Sequence, residues 1–171
     1  MSRLAPTWLV ALDPGLNRSG VALFFQGELW GVKCVSYPPV GQVGHRAIEM
    51  GLAVGRTYLE GADAEFVAEW PQVYQRGQGK SKGDPNDVVP LACVIGAAAA
   101  AMSPKSTRVF KPSEWKGQVP KPAIKKRIVD ELTDAEVSRV SKRLAHDGYD
   151  AIGIGLYALG RLFRRRVIDR E

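Results

Sequence analysis

Five short apolar runs, three packed close together and two set far apart, constrain the fold of this chain more than anything else in it. "TWLVALD" (7–13), "GVALFFQ" (20–26) and "LWGVKCVS" (29–36) follow one another across gaps too short for anything but tight turns. Runs of this length, partly β-branched and bounded by turn residues, read as strands. Short gaps make them an antiparallel meander. "AEFVAEW" (64–70) and "TRVFK" (107–111) read as fourth and fifth strands, each reached across a helical stretch.

Between strands three and four, Ile48, Leu52, Val54, Tyr58 and Leu59 recur at helical spacing, which predicts a helix over 45–60. Asp87 reads as the N-cap of a second helix, "VVPLACVIGAAAAAM" (88–102), with Pro90 in its first turn. Pro120 and Pro122 open a helix that runs through Asp130. Thr133 with Glu136 has the spacing of a capping box. A last helix is predicted from His146 to about Arg166.

The order is βββαβαβα with further helix after it. Right-handed crossovers place strands four and five beside strand one, in the order 3-2-1-4-5. This five-stranded mixed sheet flanked by helices is similar to the ribonuclease H-like α/β arrangement. The 171 residues suit one domain over 1–171. No repeat and no low-complexity segment divides them. Neither a leader-like apolar start nor a membrane-length span is visible, so a cytoplasmic protein with no membrane partner is expected. Cys34 and Cys93 lie far apart in apolar runs and read as reduced core residues.

Three pieces of sequence hold the acids of interest. Asp13 ends the first apolar run, just before Pro14 and Gly15. Taken alone it is an ordinary turn residue. Glu69 sits near the end of strand four, which lies parallel to strand one, so the two carboxyl ends coincide. Alone it is a solvated strand-end acid. Asp147 and Asp150 open "HDGYDAIGIGL" on one helix face. The helix dipole favours acids in a first turn, which accounts for one of them more readily than two. Together the four carboxylates form an oxygen-rich cage suited to Mg²⁺ or Mn²⁺. Two such ions about 3.5–4 Å apart hold the attacking water and the leaving oxygen of a phosphodiester. His146 lies at the edge of this group or simply starts the helix. The chain carries 24 Lys+Arg against 18 Asp+Glu, with a pI near 9.5. A basic protein with an acidic cage is most simply a nuclease.

"ALDPGLNRSGVAL", "AEW" and "HDGYDAIGIGL" resemble, in order, the three acidic motifs of RuvC-type Holliday junction resolvases. "KPSEWKGQVPK" and "KGDPNDVVPLA" look closest to the phage-type, shorter members. The resemblance implies a ribonuclease H-like fold and Mg²⁺-dependent paired nicking of four-way DNA junctions by a homodimer. It places Asp13, Glu69, Asp147 and Asp150 on the family's metal-binding acids. Lys105 and Lys116 fall near two basic residues of the family's active-site rim. Tyr74 stands, somewhat shifted, for the aromatic that follows the strand-four acid near the junction centre.

The region 105–127 concentrates Lys105, Arg108, Lys111, Lys116, Lys121, Lys125, Lys126 and Arg127 against Glu114 alone. A solvated face usually mixes signs, so this segment is read as phosphate-contacting. Lys80 and Lys82 lie in a Gly-rich loop able to close over a backbone. The terminal "RLFRRR" is either DNA contact or a set of cations at a helix C-terminus. The helix Val88–Met102, with Gly96 and Ala97–Ala101, is the expected dimer interface; its small residues would otherwise pack on the protein's own sheet. Competing classes are another ribonuclease H-like nuclease, an actin-like ATPase, and a non-catalytic DNA-binding module. The second needs two such domains, and this chain holds one.

Overall fold

The structure is a computed structural model. It describes residues 7–57, 63–72 and 85–162, of which 85–87 as backbone alone. Tyr74, Lys80 and Lys82 lie outside the described residues.

Strands β1 (Trp8–Asp13), β2 (Arg18–Phe25) and β3 (Glu28–Ser36) form the antiparallel meander. Gln26 and Gly27 turn the second hairpin, with φ of 52° and 84°. Left-handed values at both central residues give a turn whose twist matches that of the strands. Helix α1 (Val43–Gly55) leads to β4 (Ala64–Glu69), and α2 (Pro85–Met102) leads to β5 (Ser106–Phe110). Both later strands run parallel to their neighbours, and the sheet order is β3-β2-β1-β4-β5, as expected. Four helices follow: α3 (Pro112–Trp115), α4 (Lys121–Glu131), α5 (Asp134–Ser138) and α6 (His146–Ala158).

Strand alternation divides the core between the two sheet faces. Val10, Leu12, Val21, Phe66 and Ala68 pack under α1 and α2. Leu9, Ala11, Ala22, Phe24 and Val67 pack under α6, with Trp115, Ile124 and Ile128 beside it. Asp13 keeps step with Leu9 and Ala11, and Glu69 with Val67. Both acids therefore belong to the α6 face.

Several boundaries differ from the sequence reading. Helix α2 begins at Pro85, so Asp87 lies within it rather than capping it, and Pro90 is an interior residue. Proline suits the first helical position, which Pro85 takes. Ala97, Ala98 and Ala101 of α2 face Gly51 and Gly55 of α1, and Ala98 is fully buried. The small residues thus serve the α1–α2 contact within the chain. Cys93 is exposed rather than buried. Helix α6 stops at Ala158, where Gly160 takes φ 68°, the left-handed stop common after helices.

The chain then turns Arg161 back into the protein. Its guanidinium donates to Glu136 Oε1 at 2.7 Å and Oε2 at 2.8 Å, and to the carbonyls of Gly27 and Glu131. Arg161 is therefore neither a DNA contact nor a cation left at a helix end. Glu136 also accepts the N–H of Leu29 at 2.6 Å and closes the expected capping box with Thr133. Among the described residues no helix is long and apolar enough to cross a membrane.

Candidate active site

Register brings the two strand acids together. Asp13 pairs with Gly20 across the β1–β2 ladder. On the other side Leu12 pairs with Ala68, so Asp13 lies one step on, beside Glu69. Helix α6 crosses this end of the sheet with its first turn over β2. Gly20 permits the crossing: a Cβ there would lie 1.9 Å from the Asp147 carbonyl oxygen. The glycine that follows the D-P-G turn is thus a site of close backbone approach. The turn itself is closed by Ser19, whose Oγ accepts from the Gly15 N–H at 3.0 Å and donates to the Gly15 carbonyl at 2.9 Å.

Lys116 enters among the acids from the end of α3. Its Nζ lies 2.9 Å from Glu69 Oε2 and 3.6 Å from Asp150 Oδ2. The Trp115 indole N–H donates to the same Glu69 oxygen at 2.7 Å. His146 Nε2 lies 3.4 Å from Asp150 Oδ2, one helical turn away on α6. Arg18 of β2 pairs with Asp147. The four acids therefore divide: Asp13, Glu69 and Asp150 surround Lys116, while Asp147 is held from β2.

The electrostatics follow from crowding like charges in a dry place. Loss of hydration, then the nearby charges of Glu69 and Asp150, push the Asp13 carboxyl well above the ordinary carboxylate value. Asp147 adds to the push and Lys116 opposes it. For Lys116, burial pulls the ammonium down, but Glu69, Asp150 and Asp13 outweigh it. The net shift is upward, so the ammonium stays charged.

Among the described residues, no three His, Cys, Asp or Glu side chains are gathered closely enough, as they stand, to hold a metal ion. The donor chemistry nonetheless fits one. The acids offer oxygen atoms only, and Asp150 is 6% exposed with Oδ1 buried and unpartnered. An unpartnered buried carboxylate oxygen and a set of mutually repelling acids are what a hard cation would satisfy. A cavity of about 220 Å³ opens beside Lys116 and Asp150, lined also by Pro112, Gln118, Val119 and Lys121.

The other expected site residues are spread more widely. Lys105 precedes β5, at the opposite end of the sheet from Asp13. Its backbone N–H donates to Ala64 O and its Nζ to Asp63. It is not a rim residue, because β5 runs parallel to β4 and only its far end reaches the acids. Arg108 pairs with Glu65, and Lys126 with Asp130 on α4. Lys125 lies over the Tyr149 ring, 4.1 Å from its centroid. Within 105–127, the side chains of Lys111, Lys121 and Arg127 are exposed and have no acidic partner among the described residues, which narrows this segment's basic surface to α3 and α4. Sequence reasoning missed Trp115 and Arg18; the position of Trp115 beside Lys116 in "EWKGQV" was the available signal.

No protein-family model matches the chain, and no curated protein matches it in sequence. Solved structures do match it in shape. Thermus thermophilus RuvC in complex with a Holliday junction substrate superposes with a TM-score of 0.57, over 90% of this chain and 93% of that one, at 13% identity. A second Thermus thermophilus RuvC structure gives a TM-score of 0.56, over 90% and 97%, also at 13% identity. The likeness is one of fold: the chain has the RuvC-like, ribonuclease H-like fold.

Proposed function

We propose that the chain is a structure-selective DNA endonuclease that resolves four-way junctions by paired nicks. The observation that carries this reading is the meeting of Asp13, Glu69 and Asp150 around one charged lysine at the carboxyl end of β1 and β4. Ligand sites in open α/β sheets form at strand carboxyl ends. The Thermus RuvC structure of the same fold holds a Holliday junction.

Asp13, Glu69, Asp147 and Asp150 would hold Mg²⁺, two ions per site, with Mn²⁺ able to substitute. When bound, the metal supplies a nucleophilic water at neutral pH and charge stabilisation at the phosphoryl group. The protein's own groups do the rest. Lys116, a catalytic residue in this reading, offers a fixed positive charge to the phosphate oxygens at the mouth of the cavity. Lys111, Lys121, Lys125 and Arg127 neutralise the phosphates of the adjoining arm. Lys126 contributes less, because Asp130 already holds it.

A four-way junction has two symmetry-related strands to cut, and one site cuts one strand. The reading therefore includes a two-fold dimer. With Ala98 enclosed against α1, the face of α2 left for such pairing is the outward one, carrying Val89, Cys93, Gly96 and Ala100.

The deciding experiment compares a synthetic four-way junction, a flap, an RNA–DNA hybrid and a linear duplex of the same sequence, each with Mg²⁺ and with EDTA. Paired, Mg²⁺-dependent nicks confined to the junction support the reading. Equal cutting of the flap or hybrid points to another ribonuclease H-like nuclease. Absence of cutting on every substrate refutes an enzymatic role.

A further inference from the structure

We propose that Trp115 is a positioning residue for the acidic site, orienting Glu69 through its indole N–H. This rests on the reading of Glu69 as a metal-binding acid. Trp115 is fully buried, yet its ring is bipolar: an apolar body that fills the α6 face of the core and one N–H that must find an acceptor. A buried indole N–H left without a partner is costly. The acceptor it finds is not a backbone carbonyl but Glu69 Oε2, at 2.7 Å. Bonds of this kind to an ionised acceptor are the short, strong ones.

The ring cannot drift. Gly153 of α6 leaves the room it occupies: a Cβ there would come within 2.6 Å of Trp115 Cζ3. Ile128 of α4 packs in the same core cluster, and its Cδ1 would lie 2.8 Å from that Cβ. The ring also carries the Lys116 ammonium, 4.7 Å from its centroid. Both donors to Glu69, the indole and the ammonium, land on the same oxygen, Oε2. A carboxylate gripped through one oxygen in this way has its rotamer fixed and offers the other oxygen, Oε1, toward a cation. Partners one layer behind a ligand commonly change metal affinity or activity 10–100-fold when removed.

The test uses Trp115→Phe, which keeps an aromatic ring and removes the N–H. Folding is first checked by circular dichroism and a cooperative melt. Mn²⁺ binding is then followed by calorimetry, and junction cutting as a function of Mg²⁺. The expected result is a metal midpoint raised roughly 10–100-fold, with cutting recovering as Mg²⁺ is raised. An unchanged midpoint overturns the proposal, whether or not cutting is lost.

A second measurement needs no variant. The chain has four tryptophans, and Trp115 is fully buried while Trp30 and Trp70 are 57% and 41% exposed and Trp8 is half-buried. Its indole N–H signal in an ¹H–¹⁵N spectrum is the one that persists longest in D₂O. That signal should move as Mg²⁺ is added to the native protein, and a stationary signal overturns the proposal. A native protein that cuts with Mg²⁺ while the signal stays still would leave the nuclease reading standing and remove only Trp115. A signal that moves in a protein that cuts no DNA would do the reverse.

Discussion

Glu136 is 1% exposed and holds together elements far apart in the chain, so its replacement by alanine is the sharpest test of how this fold is secured. Its carboxylate receives two bonds from Arg161, one from the Leu29 N–H and one from the Thr133 N–H. Through them α5 is tied to the β2–β3 hairpin and to the segment after α6. Removing the acid strands the guanidinium and leaves the Leu29 N–H without its acceptor. Breaking a buried ion pair from one side costs about 3–5 kcal/mol. The Arg161 side chain is 23% exposed and has some freedom to turn toward water, which favours the lower end. For a protein of this size each kcal/mol is worth about 2–4 °C in Tm, so a fall of roughly 6–20 °C is expected.

The same group sets a pH dependence. Burial works against the charged form of Glu136, but the bonds from Arg161, Leu29 and Thr133 outweigh it and lower the carboxyl from 4.5 to about 2. A lowered carboxyl stabilises the fold fully above its unfolded value and loses that contribution as pH falls through the folded one. The shift is worth at most roughly 3 kcal/mol, present above about pH 5 and lost between about pH 4.5 and 2. Urea unfolding of native protein, Glu136→Ala and Glu136→Gln at pH 7, 4 and 3 measures both effects. The gap between native protein and Glu136→Gln should narrow steadily with acid. Glu136 lies by the β2–β3 turn, at the other end of the sheet from Asp13, so the folded fraction of Glu136→Ala should cut junctions at the native rate. A loss below 1 kcal/mol at pH 7, or a gap that does not change with pH, would refute the reasoning.

Other expectations concern the acidic end and the surface. Asp13→Asn removes a charge that Glu69 and Asp150 repel, so Tm should rise or hold while junction cutting disappears and junction binding survives; cutting at the native rate would exclude Asp13 from the chemistry. Lys121→Ala combined with Arg127→Ala should lower the slope of log K against log salt by about 1.8 on duplex arms, and Lys126→Ala by less; equal slopes for all would remove the α3–α4 side from the DNA surface. A Cβ at Gly96 meets no atom within 4 Å among the described residues, so Gly96→Glu should leave the fold intact and separate a dimer that pairs through α2, as read by sedimentation. A native protein that sediments as a monomer even with junction bound would end the dimer reading altogether.

What could be read from sequence, and what could not, divides along the range of the forces involved. The strands were legible because alternation and turn residues are local: "TWLVALDPG" states a buried strand and its stop within nine residues. Strand order followed from one chiral rule, and with it the meeting of Asp13 and Glu69. Lys105 shows the same rule left unapplied, since a residue before a parallel strand must lie at the end away from the acids. Helix termini were less legible. Asp87 has a good capping side chain, but Pro85 is already suited to a first turn, and nothing in the local pattern ranks the two. At Gly160 the stop was written plainly, yet the basic run after it drew the reading onward to Arg166.

The ion pairs were illegible for a different reason. Glu136 was read through its bond to Thr133, three residues away, while Arg161, Leu29 and Gly27 reach it only once the sheet is built. The same holds for Lys116 and Trp115, whose spacing says nothing of Glu69. The two ends of the sheet consequently carry opposite charge arrangements. At the hairpin end one buried acid receives four donors and is fully answered. At the carboxyl end several acids share one lysine, one buried oxygen of Asp150 has no partner among the described residues, and the Asp13 carboxyl is pushed well above its ordinary value. Buried polar groups are normally satisfied, and those left unsatisfied mark strain, a missing ion or chemistry. A fold that answers a buried acid completely at one end shows that it has the means to do so. In the proposed reading, the incompleteness at the other end is room kept for a cation and a phosphate, which is the reason to look for activity there and for stability at Glu136.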